Sequence, residues 1–491
     1  MTQHSILIAN RGEIAIRIAR ACADLGHRSV AVHPADDARS LHVLRADGVQ
    51  LLAGRGAAAY LDISQIVAAA QAAGCTAVHP GYGFLSESDE LAESCAAAGL
   101  TFIGPSPEVL RLLGDKANAR RAAVENDIPV LAGTPTAVDA DGAKAFFALL
   151  PKAGMLIKAV SGGGGRGMRL VVRSDEIDDA HAQASAEAQA AFGCGDVYCE
   201  ELIANARHIE VQILGDGTGN VVQFGERECS LQRRHQKIVE IAPSPTLSPA
   251  LRKSISAAAL RMAKRMRYKG LGTFEFLVDR DIKDRFVFIE ANPRLQVEHT
   301  VTEAVYGVDL VQAQIQVGLG ETLAQLGLEQ ANVPAPRGYA IQLRLNMETM
   351  QADGSAIPAS GTLKAYDLPS GPGVRVDGFG YVGYRTSTSY DSLLAKLIVH
   401  SVSPLFVDAV AKAKRVLAES RIEGVATNRD FLSAVMGHPD VASNEVSTRW
   451  LDHQSATLVI SGAHNEISDR FFALAEVKSS GLQELPTVAP Q

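Results

Sequence analysis

The chain has 491 residues, of which 47% are hydrophobic, and this length predicts about two to four globular domains rather than a disordered protein. Its formal net charge is −8 and charges of both signs are interspersed, which argues against a nucleic-acid or anionic-membrane surface. The six cysteines form no Cys-x-x-Cys pair, and no apolar run suits a membrane helix or a signal peptide, so we expect a reduced, cytoplasmic protein without membrane or nucleic-acid partners.

Short apolar runs alternate with helical patterns from the amino terminus to about residue 115. The apolar runs are Ile6–Ala9, Ser29–Val32 and Ala77–His79, and the helical patterns are Ile14–Ala23 and Ser64–Ala73. This alternation predicts βαβ units around a parallel sheet. The first turn, from Ala9 to Glu13, lacks the Gly-x-Gly-x-x-Gly spacing, so a dinucleotide is not expected there.

A glycine-rich run, from Ser161 to Met168, lies in the next region, where the pattern changes to mixed strands and helices. Consecutive glycines leave backbone N–H groups free to bind a phosphate, although a flexible linker is the alternative. The strand pattern Met155–Val160 just before it contains Lys158, which places a cation near such phosphates. Lys116 is a second candidate, and for each lysine alone a solvated side chain is the competing interpretation.

Two acidic residues interrupt apolar segments further along the chain. Thr273–Val278 contains Glu275, Phe286–Glu290 ends in Glu290, and the polar turn between them predicts a hairpin. If the register places these acids opposite each other, their Cβ atoms lie roughly 5 Å apart and need a cation between them, for which magnesium is the natural candidate. The alternative is a pair of solvent-facing strand acids.

Two polar segments flank the predicted hairpin in sequence. The segment Glu290–His299 offers Asn292 as a further metal ligand, Arg294 as an anion clamp and Glu298 as a base, against the alternative of a charged surface loop. The segment Gln232–Lys237 concentrates cationic donors in an acidic protein. It is either a solvated charge run or the site of a second anionic substrate that also stabilises a transferring phosphoryl group.

A proline-containing break at Asn332–Arg337 precedes a third region that is rich in Gly, Thr, Val and Tyr. This composition predicts a small sheet-based domain, with helices near Pro404–Ser420 and Asn428–Met436. The residues after about Leu451 carry no recognisable motif.

Several of these segments resemble the signatures of the biotin carboxylases, which belong to the ATP-grasp superfamily. The resemblance covers about residues 4 to 450, and the segments occur in the family's order. They are Ile8–Ala15, His79–Glu87, Gly162–Met168, Gln232–Lys237, Glu290–His299 and Tyr390–Leu397.

The resemblance implies a mixed α/β and α+β fold in four parts. We expect a Rossmann-like N-terminal domain over residues 1–115 and an ATP-grasp domain over 116–330, whose mobile glycine-rich lid spans about 132–203. A small C-terminal sheet domain with helices then covers 331–450, and residues 451–491 form a linker or tail of unknown role.

The resemblance also implies roles for individual residues. The residues expected to contact ATP are Lys116, Lys158, Gly163, Gly164, Gly165, Gly167, Met168, Glu200, Glu201, Leu202, His208, Gln232 and His235. Magnesium or manganese is expected on Glu275, Glu290 and Asn292. Bicarbonate is expected near Lys237, Arg294, Gln296 and Val297, with Glu298 as its base and Arg344 stabilising the enolate of biotin.

By the same resemblance, the reaction is the ATP-dependent carboxylation of biotin by bicarbonate, the first half-reaction of an acyl-CoA carboxylase. No methionine precedes a lysine, as the family's biotin attachment site requires, so biotin is expected on a separate carrier protein or domain. The further partners expected are a carboxyltransferase subunit and a second copy in a homodimer. The chain is then a free subunit or a fragment of a longer polypeptide.

The sequence departs from the family pattern at Glu201, where many relatives carry lysine, at Ala206, where proline is usual, and around Arg344. Two other functions compete with the family reaction. Another ATP-grasp ligase shares the metal and phosphate residues, but the combination of Gln232–Lys237 with Gln296–Glu298 disfavours it. A non-catalytic scaffold that binds a carrier is disfavoured by the intact acids and Arg294.

Overall fold

A computed structural model gives the fold and describes residues 3–150, 154–160 and 167–462. The N-terminal strands are β1 (Ser5–Ile8), β2 (Arg28–Pro34), β3 (Gly48–Leu52), β4 (Ala77–His79) and β5 (Thr101–Phe102). The helices between and after them are α1 (Gly12–Asp24), α2 (Leu41–Arg45), α3 (Gly56–Ala59), α4 (Ile63–Ala72), α5 (Asp89–Ala97) and α6 (Pro107–Gly114).

The N-terminal strands form one sheet in the order β3-β2-β1-β4-β5, and every neighbouring pair is parallel. The predicted parallel βαβ sheet is therefore confirmed. Side-chain caps begin its later helices, since Asp62, Ser88 and Ser106 each accept a backbone N–H from the first turn of the helix that follows.

A second, smaller sheet follows in the chain. Its elements and their flanking helices are α7 (Lys116–Val124), α8 (Ala140–Ala148), β6 (Met155–Ala159), β7 (Met168–Val171), α9 (Ile177–Phe192) and β8 (Val197–Glu201). The strands pair antiparallel in the order β7-β6-β8, and buried residues of α8 and α9 pack against them. Gly163, Gly164 and Gly165 of the expected phosphate loop lie outside the described residues.

The remaining central elements are β9 (Ala206–Asp216), β10 (Val221–Arg233), β11 (Gln236–Ala242), α10 (Pro249–Arg265), β12 (Lys269–Asp279), β13 (Phe286–Asn292), α11 (His299–Tyr306) and α12 (Leu310–Gly318). The C-terminal strands are β14 (Tyr339–Asn346), β15 (Glu348–Met350), β16 (Ala356–Pro358), β17 (Ala365–Asp367), β18 (Val374–Gly378), β19 (Leu393–Ser401) and β20 (Arg421–Glu423). The C-terminal helices are α13 (Phe406–Glu419), α14 (Arg429–Gly437), α15 (Pro439–Ala442) and α16 (Trp450–Gly462).

One eight-stranded antiparallel sheet joins the central and C-terminal elements, in the order β13-β12-β9-β10-β11-β14-β19-β18. The connection is the pairing of β11 with β14, in which Val239 lies opposite Leu343 and Glu240 opposite Gln342. The sheet of the third region is thus a continuation of the central sheet, and residues from one strand of each region lie side by side.

The predicted β12–β13 hairpin is present, and its register places Glu275 directly opposite Glu290, the arrangement on which the shared cation site depends. The same strand β12 also pairs with β9, where Glu210 lies opposite Glu275. Three carboxylates therefore form a row across neighbouring strands, which requires cations close by.

Helix α16 covers the first part of the segment in which the sequence reveals no motif. Leu451 and Leu458 are buried in the same core cluster as Phe431, and the indole Nε1 of Trp450 donates to Asp440 Oδ2 at 2.9 Å. Residues 463–491 lie outside the described part. Among the described residues, no helix combines the length and the apolar character needed to cross a membrane.

Candidate active site

A cavity of about 1490 Å³ opens between the N-terminal sheet, the three-stranded sheet and the eight-stranded sheet. The predicted site residues that line it are Lys116, Lys158, Met168, Glu200, Glu201, Leu202, His208, Gln232, His235, Lys237, Glu275, Glu290, Asn292, Arg294, Gln296, Val297, Glu298 and Arg344. Gly167, the one described glycine among those expected at the nucleotide, packs against Ala159, where an added Cβ would lie 2.9 Å from the alanine Cβ.

Lys237 on β11 lies at the centre of the charged part of the cavity. Its Nζ contacts Glu210 on β9, Glu275 Oε1 on β12 at 3.0 Å, and Glu298 Oε1 just before α11 at 2.8 Å. Burial opposes the charge of this ammonium, yet the three carboxylates raise the pKa of Lys237 well above its usual value. The lysine is therefore the cation that keeps the row of acids together.

Glu298 is fully buried between two cations. Arg344 Nη2 lies 3.0 Å from Glu298 Oε2, on the side opposite Lys237, and Arg344 Nε also pairs with Glu240 Oε1 at 2.5 Å. Burial opposes ionisation, but Lys237 and Arg344 hold the pKa of Glu298 well below its usual value. This carboxylate is ionised at neutral pH and able to accept a proton.

The residues expected to hold a metal meet at the open end of the β12–β13 hairpin. Asn292 Nδ2 donates to Glu275 Oε1 at 2.7 Å, and Lys116 Nζ lies 3.7 Å from Glu290 Oε2. Carboxylate and amide oxygens are the ligands that magnesium and manganese prefer, so the donor set fits either ion. The amide oxygen of Asn292 accepts from Arg294 Nη2 at 3.1 Å, so the amide must rotate to present that oxygen to an ion beside Glu275.

Arg294 is a further cation in the cavity wall, next to the residues expected to hold a metal. Its Nη1 donates to Gln296 Oε1 at 3.1 Å, and its Nε pairs with Glu87 in the loop before α5. Because the guanidinium is planar and still partly exposed to the cavity, it can bind an anion through two N–H groups.

The nucleotide-side residues lie on the three-stranded sheet and on the β10–β11 turn. Lys158 on β6 pairs with Glu200 on the neighbouring strand β8. Gln232 Nε2 lies 2.8 Å from His208 Nδ1, and His208 Nε2 lies 2.7 Å from Glu275 Oε2. After β10 ends at Arg233, Arg234 and His235 adopt positive φ angles of 45° and 66° to form the turn. The turn places His235 in the cavity wall, where burial lowers the pKa of its imidazole.

Glu201, one of the departures from the family pattern, lines the cavity, but its carboxylate is bound by Arg285. Both of its oxygens accept from Arg285 Nη2, at 2.8 and 2.9 Å, and Arg285 Nη1 pairs with Asp279 Oδ2 at 3.1 Å. The side chain therefore joins β8 to the turn of the β12–β13 hairpin.

Sequence reasoning missed the buried partners that hold these groups. Arg227 is fully buried, pairs with Glu210, and donates to Gln212 Oε1 at 2.7 Å and Thr302 Oγ1 at 3.0 Å, while Glu240 supports Arg344. One signal was available, because polar side chains recur at every second position of β9, at His208, Glu210 and Gln212. In a fully buried strand, that alternation marks one polar face.

Three family models match successive parts of the chain. Residues 2–110 match the family model of the biotin carboxylase N-terminal domain. Residues 115–326 match the ATP-binding domain of the carbamoyl-phosphate synthase L chain, and residues 342–453 match the biotin carboxylase C-terminal domain.

Among curated proteins, the pyruvate carboxylase of Staphylococcus aureus is 45% identical over 455 residues, which cover 91% of this chain and 39% of that protein. The pyruvate carboxylase 1 of Caenorhabditis elegans is 43% identical over 97% of this chain and 40% of its own length. The chain thus spans about 40% of the length of these curated relatives.

Two solved biotin carboxylase domains match over nearly their whole length. The biotin carboxylase domain of a single-chain bacterial carboxylase is 45% identical with a TM-score of 0.83, covering 94% of this chain and 99% of that one. The biotin carboxylase domain dimer of the Hydrogenobacter thermophilus 2-oxoglutarate carboxylase, solved with MgADP and bicarbonate, is 39% identical with a TM-score of 0.86, covering 93% and 99%. By these similarities the chain belongs to the biotin carboxylase family of ATP-dependent ligases.

Proposed function

We propose that the chain carboxylates biotin with bicarbonate at the expense of ATP, giving carboxybiotin, ADP and phosphate, with the biotin attached to a carrier protein or domain. One observation carries the proposal: Glu298, an ionised base between Lys237 and Arg344, lies in the same cavity as the paired acids Glu275 and Glu290. A base for bicarbonate and an oxygen site for a nucleotide-bound metal are thus next to each other.

Bicarbonate binds, in this proposal, between Lys237 and Arg294, with Gln296 and the backbone of Val297 completing the site. An anion beside Lys237 competes with Glu298 for the ammonium. As that ion pair weakens, the affinity of Glu298 for a proton rises, and the carboxylate removes the proton of bicarbonate. Deprotonated bicarbonate then attacks the terminal phosphorus of ATP to give carboxyphosphate and ADP.

Charge neutralisation drives phosphoryl transfer more than covalent assistance does. The proposed ATP contacts are Lys116, Lys158, Gly163, Gly164, Gly165, Gly167, Met168, Glu200, Glu201, Leu202, His208, Gln232 and His235. Glu275, Glu290 and Asn292 hold magnesium or manganese, which when bound neutralises the phosphate oxygens. Lys116, 3.7 Å from Glu290, adds a cation beside that position.

Arg344 acts on the second substrate. Removing the proton from a ureido nitrogen of biotin moves charge to the ureido oxygen, and a guanidinium beside that oxygen stabilises it by roughly several kcal/mol. Glu240 binds Nε and Glu298 binds Nη2 of the Arg344 guanidinium, which fixes its plane. Carboxyphosphate breaks down to carbon dioxide and phosphate, the phosphate takes the ureido proton, and the deprotonated nitrogen attacks carbon dioxide to give carboxybiotin.

The final acceptor and the assembly are further parts of the proposal. The acceptor is chosen by a carboxyltransferase and is not named by this sequence; we propose an acyl-CoA. The relatives named above whose acceptor is stated are carboxylases of pyruvate and of 2-oxoglutarate, so the acyl-CoA stays a prediction. Mass spectrometry of co-purified proteins identifies the carboxyltransferase, and light scattering measures whether the chain forms the proposed homodimer.

The direct test measures ATP hydrolysis by the purified chain with and without bicarbonate and free biotin, together with transfer of labelled carbon from bicarbonate to biotin. The proposal expects hydrolysis that depends on bicarbonate and labelled carboxybiotin. Hydrolysis that responds to an amine or amino-acid acceptor without biotin would instead favour another ATP-grasp ligase. The absence of any hydrolysis would favour a carrier-binding scaffold.

A further inference from the structure

Lys396 on β19 is a fully buried lysine in the signature segment Tyr390–Leu397, to which the proposed reaction gives no role. Its Nζ donates to the backbone carbonyl of Val297 at 3.1 Å and lies 3.0 Å from Glu13 Oε1. A buried ammonium needs such partners, because burial without them strongly disfavours its charge. One of these partners, Val297, belongs to the proposed bicarbonate site.

Glu13 connects the same lysine to the opposite wall of the cavity. The hydroxyl of Tyr82 donates to Glu13 Oε1, the oxygen that also faces Lys396. Tyr82 lines the cavity together with Arg344. The Lys396 ammonium therefore contacts the backbone of Val297, in the proposed bicarbonate site, and the carboxylate of Glu13. That carboxylate orients the ring of Tyr82, which lines the cavity near Arg344, where biotin is proposed to bind.

The backbone around Tyr82 is held by the first signature segment as well. Asn10 Nδ2 donates to the carbonyls of Pro80 at 2.7 Å and Tyr82 at 2.8 Å. Gly81 has a φ of +67°, and a Cβ there would lie 2.9 Å from Asn10 Nδ2, so only glycine permits this approach. The segments around residues 10, 82 and 396 thus form one buried unit.

Lys396 compensates the buried negative charge of this unit. Glu13 Oε2 is buried and has no hydrogen-bond partner within the described part of the chain. Asp377, 4.0 Å from Lys396, also has Arg375 Nη2 at 2.6 Å, whereas Lys396 is the cation paired with Glu13. Removing the lysine alone therefore leaves a buried carboxylate uncompensated, which destabilises the fold for a reason unrelated to catalysis.

We propose that Lys396 is a positioning residue for the carboxylation reaction, and this inference rests on the proposed function. By holding the Val297 carbonyl and the Glu13–Tyr82 pair at one point, it fixes the bicarbonate-binding segment relative to the wall against which biotin lies. Lys396 contacts neither substrate. Its loss changes the apparent affinity for bicarbonate while leaving that for ATP in place.

The test uses the double variant Glu13→Gln with Lys396→Met, which removes both charges together and so preserves neutrality. We expect it to fold, with the KM for bicarbonate raised about tenfold, the effect of one lost hydrogen bond to a charged group, and the KM for ATP within about twofold of wild type. Lys412→Met is the matched control, because Lys412 also binds backbone carbonyls, at His400 and Pro372, but neither of these residues lines the cavity, whereas Val297 does.

Circular dichroism melting first establishes that the double variant is folded. A wild-type KM for bicarbonate in the folded variant, or an equal rise of both KM values, overturns the inference. If the double variant does not fold, Tyr82→Phe tests the other end of the buried unit. We expect this variant to have a several-fold higher KM for biotin and an unchanged KM for bicarbonate. An unchanged KM for biotin overturns the inference. Wild-type protein without bicarbonate-dependent hydrolysis would instead refute the proposed function, and this inference with it.

Discussion

The two sides of the cavity are built in different ways. We call floor the side chains from β9, β11, β12, β13 and β14 together with Glu298, and roof those of the three-stranded sheet β6–β8. On the floor, Lys237 has three carboxylate partners and Glu298 has two cationic ones. On the roof, Lys158 has Glu200, and 23% of its side chain remains exposed.

We expect this difference to separate the residues that act in the reaction, on the floor, from those that bind the nucleotide, on the roof. Floor groups receive their positions from strand register and from buried partners, so they are in place before a substrate arrives, which is how charges in an active site stabilise a transition state most effectively. Roof groups are fewer and more solvated, so we expect them to contribute to the affinity for the nucleotide. Floor variants should therefore lower turnover, whereas roof variants should raise the KM for ATP.

The largest effect is expected for the floor variant Glu298→Gln. The amide keeps the size of the side chain but accepts no proton, so bicarbonate-dependent ATP hydrolysis should fall by about 10² to 10⁴-fold. Steady-state phosphate release at saturating bicarbonate measures it. The control is Glu226→Gln, a buried carboxylate that pairs with Arg252 at 2.8 Å outside the cavity, and it should keep its turnover. Near-normal turnover of Glu298→Gln would remove the base from the proposed mechanism.

A second floor variant, Glu275→Gln, tests the metal residues. Loss of one anionic ligand should raise the magnesium concentration for half-maximal ATP hydrolysis by about 10 to 100-fold, and a chelator should abolish hydrolysis by wild type. A magnesium titration at fixed ATP gives the value. If the titration curve matches that of wild type, Glu275 holds Lys237 and His208 in place and no metal.

The roof variant Lys158→Met should act on binding. We expect the KM for ATP to rise by about tenfold with kcat nearly unchanged, because one charge-assisted contact to a phosphate is lost. Titration of a fluorescent ATP analogue measures the affinity directly. A fall in kcat as large as that of Glu298→Gln would break the distinction between floor and roof.

The smallest effect is expected where roof and floor are joined, at Glu201 and Arg285. This partly exposed pair should contribute about 0.5–1 kcal/mol of coupling free energy. A double-mutant cycle with Glu201→Gln and Arg285→Gln, read as the KM for ATP and as the free energy of unfolding, isolates that value. Additive effects in both readings would mean that the pair does not couple the two sides.

Local patterns predicted the elements well. Two apolar segments joined by one polar turn were enough to predict the β12–β13 hairpin, in which Glu275 lies opposite Glu290, and apolar runs separated by helical periodicity were enough for the parallel sheet. In both cases the information lies within a few tens of residues, where periodicity and turn chemistry decide the structure.

The contacts between distant residues were not predictable in the same way. Glu240 meets Arg344, and Lys396 meets Glu13, across separations that no periodicity encodes. The resemblance named the expected substrate-contacting residues but not the buried groups that support them. Those groups follow only from the strand order, because β11 and β14 become neighbours in space although about a hundred residues separate them.

The pairing of β11 with β14 has a practical consequence for anyone who divides this chain. A cut in the linker near residue 335 looks harmless in the sequence, yet it would uncover the hydrogen-bonding edge of β11 and remove Arg344 from its contact with Glu298. Such an edge invites aggregation. Grafts or chimeras with related enzymes should therefore exchange residues from about 115 to 453 as one block.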